Sequence, residues 1–210
     1  NYLSLEDTVD SDSIISTDKD KIRVKDYSAI SVMGGLKSLY LNSDIIKDIG
    51  FIKGLPALED LTLEDTAVIS LASLSEVPAL RSLTLLGNNK VQDFGPVGTA
   101  PGLTSLSIDK MTSQPDPDLS SLSGLERLEI KGFMSTSSIR GLSSLKELSI
   151  HNCNVDQADA LSSLTGVERL TFYSVWNSQG NLRNLDFLKG MTGLKYADFT
   201  GNLDGTGWSG

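Results

Sequence analysis

The pattern L-x-x-L-x-L recurs along almost the whole chain, and it limits the possible folds more than any other feature. It reads LKSLYL from Leu36, LEDLTL from Leu58, LRSLTL from Leu80, LTSLSI from Leu103, LERLEI from Leu125, LKELSI from Leu145, VERLTF from Val167 and LKYADF from Leu194. Successive starts lie 22, 22, 23, 22, 20, 22 and 27 residues apart. Two degenerate copies come first: NYLSL, with Leu3 and Leu5 in the last two apolar slots, and KDKIRV, with Ile22 and Val24 there. Ten strands are therefore predicted. Apolar and polar residues alternate within each, as burial of one sheet face requires. Apolar residues roughly three apart follow the strands, as in Ile45, Ile49, Ile52 and Leu55. Such spacing suits a 3₁₀ or short helical turn better than a long α-helix. One such unit cannot bury its leucines alone, whereas stacked units bury them against each other, which predicts a solenoid.

Two further local features agree with this reading. The residue before each opening Leu or Val is small: Gly35, Ala57, Ala79, Gly102, Gly124, Ser144, Gly166 and Gly193. A tight turn into a strand leaves little room for a Cβ, and Gly also allows positive φ. Pro56, Pro78 and Pro101 stand two residues before their leucines, where proline tolerates a turn.

These repeats resemble the leucine-rich repeat proteins, and their 22-residue spacing is similar to that of the internalin-type subclass of bacterial surface proteins. The resemblance covers Leu36 to Asn202 well and the first 35 residues weakly. It implies an α/β right-handed solenoid with a parallel sheet of about ten strands on the concave face. Turns and short 3₁₀ segments would form the convex face. Residues 1–35 are expected to be degenerate N-terminal repeats, and 36–210 regular repeats with a C-terminal end segment, all in one continuous domain. The family usually places Asn three residues past the last strand leucine. Here that slot holds Asp44, Thr66, Asn88, Met111, Phe133, Cys153, Val175 and Asn202, so the turn ladder must be partly replaced by apolar stacking or water.

Composition narrows the function. Leu occurs 32 times in 210 residues, while aromatics are only 6%. The core is therefore aliphatic, and a cofactor pocket walled by aromatics is not expected. The net charge of −9 opposes nucleic acid and anionic membrane surfaces as partners. One cysteine excludes an internal disulfide and a Cys-based zinc site, and one histidine leaves little room for metal or triad chemistry. No apolar run approaches the roughly 18 residues of a membrane span. No signal peptide is visible at Asn1, so it was removed or never present. The acidic stretch from Asp7 to Asp20 lacks the Gly and distal Glu of an EF-hand loop and reads as a solvated connection. The extra residues around Trp176 read as a surface insertion or a contact loop. Leu203 and Trp208 are candidates for covering the last coil, and the chain is expected to be a segment of a longer protein. End-to-end association is the sharper alternative.

Catalytic readings fare poorly. His151 and Cys153 are two apart, but the repeat frame sends His151 to the concave surface and Cys153 into a buried turn. The carboxylates Glu59 and Asp60, and Glu64 and Asp65, are sequence neighbours on a solvated face. No enzyme, cofactor or metal is expected.

The informative positions are the outward residues of each strand. Towards the C-terminus they are rich in Arg, Tyr and His, residue types enriched at protein interfaces. A partner-binding patch is expected at Arg127, Lys131, His151, Arg169, Tyr173 and Tyr196. The competing reading is an ordinary solvated face with cross-strand pairs Arg127–Glu147 and Glu147–Arg169. The expected function is non-catalytic binding of a protein partner by a bacterial surface or secreted protein, with the chain itself expected to be monomeric. Alternatives are a structural spacer, a carbohydrate-binding face using Tyr40, Tyr173 and Tyr196, and a cytoplasmic scaffold.

Overall fold

The computed structural model describes residues 2–6, 27–88, 90–100, 102–110, 115–155, 158–177, 180–181 and 185–200. The strands are β1 Tyr2–Glu6, β2 Ser38–Asn42, β3 Asp60–Glu64, β4 Ser82–Leu86, β5 Ser105–Asp109, β6 Arg127–Lys131, β7 Glu147–His151, β8 Arg169–Tyr173, β9 Trp176–Asn177, β10 Gly180–Asn181 and β11 Tyr196–Asp198. Nine of them form one parallel sheet in the order β1-β2-β3-β4-β5-β6-β7-β8-β11. β9 and β10 pair antiparallel as a small separate ribbon. The repeat pattern thus sets the sheet order by itself: each coil lays its strand beside the one before.

Between strands the chain returns through 3₁₀ turns at Ser28–Val32, Gly50–Gly54, Ala72–Glu76, Gly95–Thr99, Thr136–Ile139 and Asp186–Gly190, and through one short α-helix, α1, at Ala158–Ser162. The triplet spacing of apolar residues produces these segments. Ile52, Leu74 and Val97 each present one fully buried side chain from the turn to the core.

The core is a set of columns. Leu39, Leu61, Leu83, Leu106, Leu128, Leu148 and Leu170 pair across successive strands. All are at most 2% exposed. Each is covered by the equivalent residue of the coils on either side. Every such leucine contributes about 1.5–3 kcal/mol from burial. Phe172 adds an aromatic stack, its ring 5.5 Å from those of Phe187 and Phe199.

A second ladder fixes the rise between coils at the strand entry. One carbonyl accepts two N–H groups from the next coil: Lys37 from Glu59 and Asp60, Glu59 from Arg81 and Ser82, and so on to Glu168 from Lys195 and Tyr196. The side chains at this position alternate in sign wherever neighbours are charged: Lys37, Glu59, Arg81, then Thr104, then Glu126, Lys146, Glu168, Lys195. Lys37–Glu59 at 2.5 Å and Lys195–Glu168 at 2.9 Å are closed ion pairs.

Two expectations need correction. The glycines before the strands do not use positive φ. That conformation falls instead just after the strand, at Asp65 (φ 48), Gly87 (φ 62), Gly132 (φ 78), Asn152 (φ 49) and Ser174 (φ 51), and once after a 3₁₀ turn, at Gly141 (φ 82). The chain must turn away from the sheet after each strand, and an αL residue makes the turn in one step. The sheet also has nine described strands rather than ten. β1 pairs directly with β2, Tyr2 opposite Ser38, so the place of an intervening strand is taken. The candidate strand at Ile22 and Val24 lies outside the described residues, as do the Asp7–Asp20 stretch, Leu203, Trp208 and the Trp176 side chain.

Candidate protein-interaction face

The outward residues of the sheet form three columns. Register places Arg127, Glu147, Arg169 and Tyr196 in the first, Glu129, Ser149, Thr171 and Asp198 in the second, and Asp109, Lys131, His151 and Tyr173 in the third. All six expected contact residues therefore lie on four consecutive strands of the sheet, β6, β7, β8 and β11. Neighbouring strands are about 4.8 Å apart, so the residues share one surface.

Within that surface the cations are unequal. Arg127 Nε donates to Glu147 Oε2 at 3.0 Å, and Lys131 Nζ lies 2.5 Å from Asp109 Oδ2. His151 Nε2 is 3.7 Å from Glu129 Oε1. The Arg127–Glu147 pair follows the strand register. The Glu147–Arg169 pair of the competing reading does not form. Glu147 is engaged by Arg127, and the Arg169 guanidinium instead sits 4.5 Å from the centroid of the Tyr196 ring. His151 packs against Tyr173, with ring centroids 6.1 Å apart. Tyr173 remains 50% exposed and Tyr196 46%.

The N-terminal part of the same face differs. Its outward residues include Asp60, Glu64, Thr62, Thr84 and Ser107, with no Lys or Arg on β2 to β5. Tyr40 is half-buried and donates to Glu64 Oε2 at 2.7 Å.

The turns next to the face hold the slot usually given to Asn. Asn88 Nδ2 donates to Leu63 O at 2.7 Å and Leu86 O at 3.0 Å, and its Oδ1 accepts from Thr66 Oγ1 at 2.5 Å. Cys153 occupies the equivalent place. Its Sγ lies 3.1 Å from His151 O and 3.7 Å from Ile130 O, and accepts from Phe133 N at 3.3 Å. Cys153 is fully buried, and desolvation pushes its thiol up to about 11. It is a turn residue, as the repeat frame implies.

Sequence reasoning missed Lys110. Its side chain has no exposed surface, and Nζ lies 3.0 Å from Asp116 Oδ1 and 5.5 Å from the Phe133 ring centroid. The signal was present in the repeat alignment. The position just after the strand holds Ser43, Asp65, Gly87, Gly132, Asn152 and Ser174, and Lys is the odd member.

Comparison of the whole chain with solved structures agrees with this geometry. Internalin inlF from Listeria monocytogenes superposes with a TM-score of 0.69 and 24% identity, over 84% of this chain and 52% of that one. Internalin C2 (inlC2) from the same organism gives 0.69 and 19%, over 81% and 74%. The chain has the internalin leucine-rich-repeat fold. It spans about half the length of the inlF chain. No family model matches the sequence, and no curated protein matches it either. In the internalin frame the strands just described line the concave face and the 3₁₀ turns the convex one. Among the described residues no helix is long and apolar enough to cross a membrane.

Proposed function

We propose that the chain is a non-catalytic protein-binding module of a bacterial surface or secreted protein, and that its partner docks on the concave face over β6, β7, β8 and β11. The observation that carries this reading is the grouping of Arg127, Lys131, His151, Arg169, Tyr173 and Tyr196 on consecutive strands, with both tyrosines half exposed. Tyr and Arg anchors on a prebuilt surface bind with little ordering cost. The internalin likeness supports the same role, since leucine-rich repeats generally mediate protein interactions.

The carbohydrate reading is weaker. Tyr40 is six strands from Tyr173, roughly 29 Å along the sheet at the usual strand spacing, and its hydroxyl is engaged by Glu64. One small sugar cannot reach both. The spacer reading draws on the ion pairs that neutralise Arg127 and Lys131 within the face.

The test is affinity capture from host-cell and bacterial extracts by the wild-type chain and by the Arg169→Ala/Tyr173→Ala double variant. A partner retained by the first and lost by the second is expected. Equal recovery by both rejects this face, and recovery by neither favours the spacer.

A further inference from the structure

Resting on the contact-face reading above, we infer that Arg169, seated on Tyr196, is the anchor for an acidic side chain, Asp or Glu, of the protein partner. The other cations of the patch already have anions. Arg127 has Glu147 at 3.0 Å, Lys131 has Asp109 at 2.5 Å, and His151 faces Glu129 at 3.7 Å. Glu147 is the strand neighbour of both Arg127 and Arg169, but its carboxylate is turned to Arg127. Among the described residues Arg169 makes no ion pair and no side-chain hydrogen bond. Its guanidinium is held 4.5 Å from the Tyr196 ring centroid, so one face is shielded by the ring while its donors remain available.

A planar fork of N–H donors matches a carboxylate in a two-bond geometry, which a point charge such as Lys does not reproduce. The setting sharpens the choice. The chain carries a net charge of −9, so an acidic partner meets overall repulsion that a local unpaired cation must offset. A carboxylate gains most where a cation lacks a resident anion. Tyr173 lies on the same strand four residues on, roughly 13 Å away at 3.3 Å per residue. Only the short Thr171 stands between them on the outward face. A partner segment crossing β8 could therefore set its acid on Arg169 and an apolar side chain on Tyr173.

The experiment pans a phage library of random 12-residue peptides on the wild-type chain, then titrates the enriched peptides on wild type, Arg169→Ala, Arg169→Lys, Tyr173→Ala, Tyr196→Ala and Arg127→Ala. The expected result is an Asp or Glu at a fixed peptide position and at least tenfold weaker binding to Arg169→Ala. Arg169→Lys should recover only part of the loss, and Arg127→Ala should change little. Replacing the peptide acid by its amide should cost tenfold on wild type and nothing further on Arg169→Ala. Thermal melts matching wild type would show that these variants keep the fold. Peptides that depend on Tyr173 but ignore Arg169, or that lack an acid, overturn the anchor and leave the contact face standing. If no peptide depends on Tyr173, Tyr196 or Arg169, both readings fall.

Discussion

Lys110 and Asp116 form a buried ion pair, Nζ to Oδ1 at 3.0 Å, with the lysine side chain fully covered and the aspartate side chain 13% exposed. The pair lies between β5 and β6, where the described residues carry no 3₁₀ segment. Asp116 also accepts from Met134 N and from Ser135 N, at 3.0 and 2.7 Å to Oδ2, and so ties one return segment to the next. Removing one member of a buried pair costs about 3–5 kcal/mol. Asp116→Ala is expected to lose that much in urea denaturation. Lys110→Met, which keeps volume and leaves Asp116 its backbone donors, should cost clearly less. Equal losses for the two would contradict this account.

Cys153 does the work of the missing Asn with a thiol. Cys153→Ala leaves the Phe133 N–H without its acceptor and should cost about 1–3 kcal/mol, while Cys153→Asn should recover part of it. Burial raises the folded-state pKa from 9.0 to about 11. The linked stability is therefore complete below pH 9 and is lost as pH rises towards 11, by roughly 2–3 kcal/mol. Urea midpoints of wild type and Cys153→Ala should converge over that window. Native Cys153 should also stay unmodified by iodoacetamide at pH 8 until the chain is unfolded.

Gly124 and Gly132 flank β6, before and directly after it, and should respond oppositely to alanine. Gly132 has φ 78, and a Cβ there would collide with the Lys110 carbonyl oxygen. Gly124 has no atom within 4 Å of an added Cβ and no positive φ. Gly132→Ala is expected to destabilise by more than 1 kcal/mol, and Gly124→Ala to stabilise by about 0.4–1 kcal/mol. Thermal melting of both variants checks this.

The alternating charges at the strand entry give a pH dependence of the other sign. Hydrogen bonding and attraction from Lys37 lower the Glu59 pKa, with a smaller contribution from Arg81. Lys195, then Lys146, does the same for Glu168. A lowered folded-state value gives stability that is present above the unfolded carboxylate pKa and lost as pH falls through the folded one. The wild-type urea midpoint should fall between pH 6 and pH 3, and the Glu59→Gln/Glu168→Gln variant should lose less over the same range. An identical fall in both would show that these pairs are inert.

Much of this was legible because a solenoid repeats one local problem. Leu36, Leu39 and Leu41 specify a coil, and the same three slots recur, so strand positions and sheet order followed from spacing alone. The outward triplets followed from period-two alternation. What failed to show was two-body geometry between coils. Glu147 faces two arginines, and only the coordinates reveal that Arg127 takes it and Arg169 goes to Tyr196. The αL positions were misplaced because Gly before each strand is an obvious marker. Asp65, Asn152 and Ser174 carry the strain after the strand with ordinary side chains. Lys110 was hidden because a charged residue beside a strand reads as solvated until Asp116, further along the chain, is brought over it.

A protein partner is proposed to meet the concave face over β6, β7, β8 and β11. A photo-crosslinking amino acid at position 173, with a control at the exposed Ser75 on the convex 3₁₀ turn Ala72–Glu76, tests it directly. Covalent capture of one discrete protein from position 173 and none from position 75 is the expected result. Capture from position 75 with none from position 173 would contradict it.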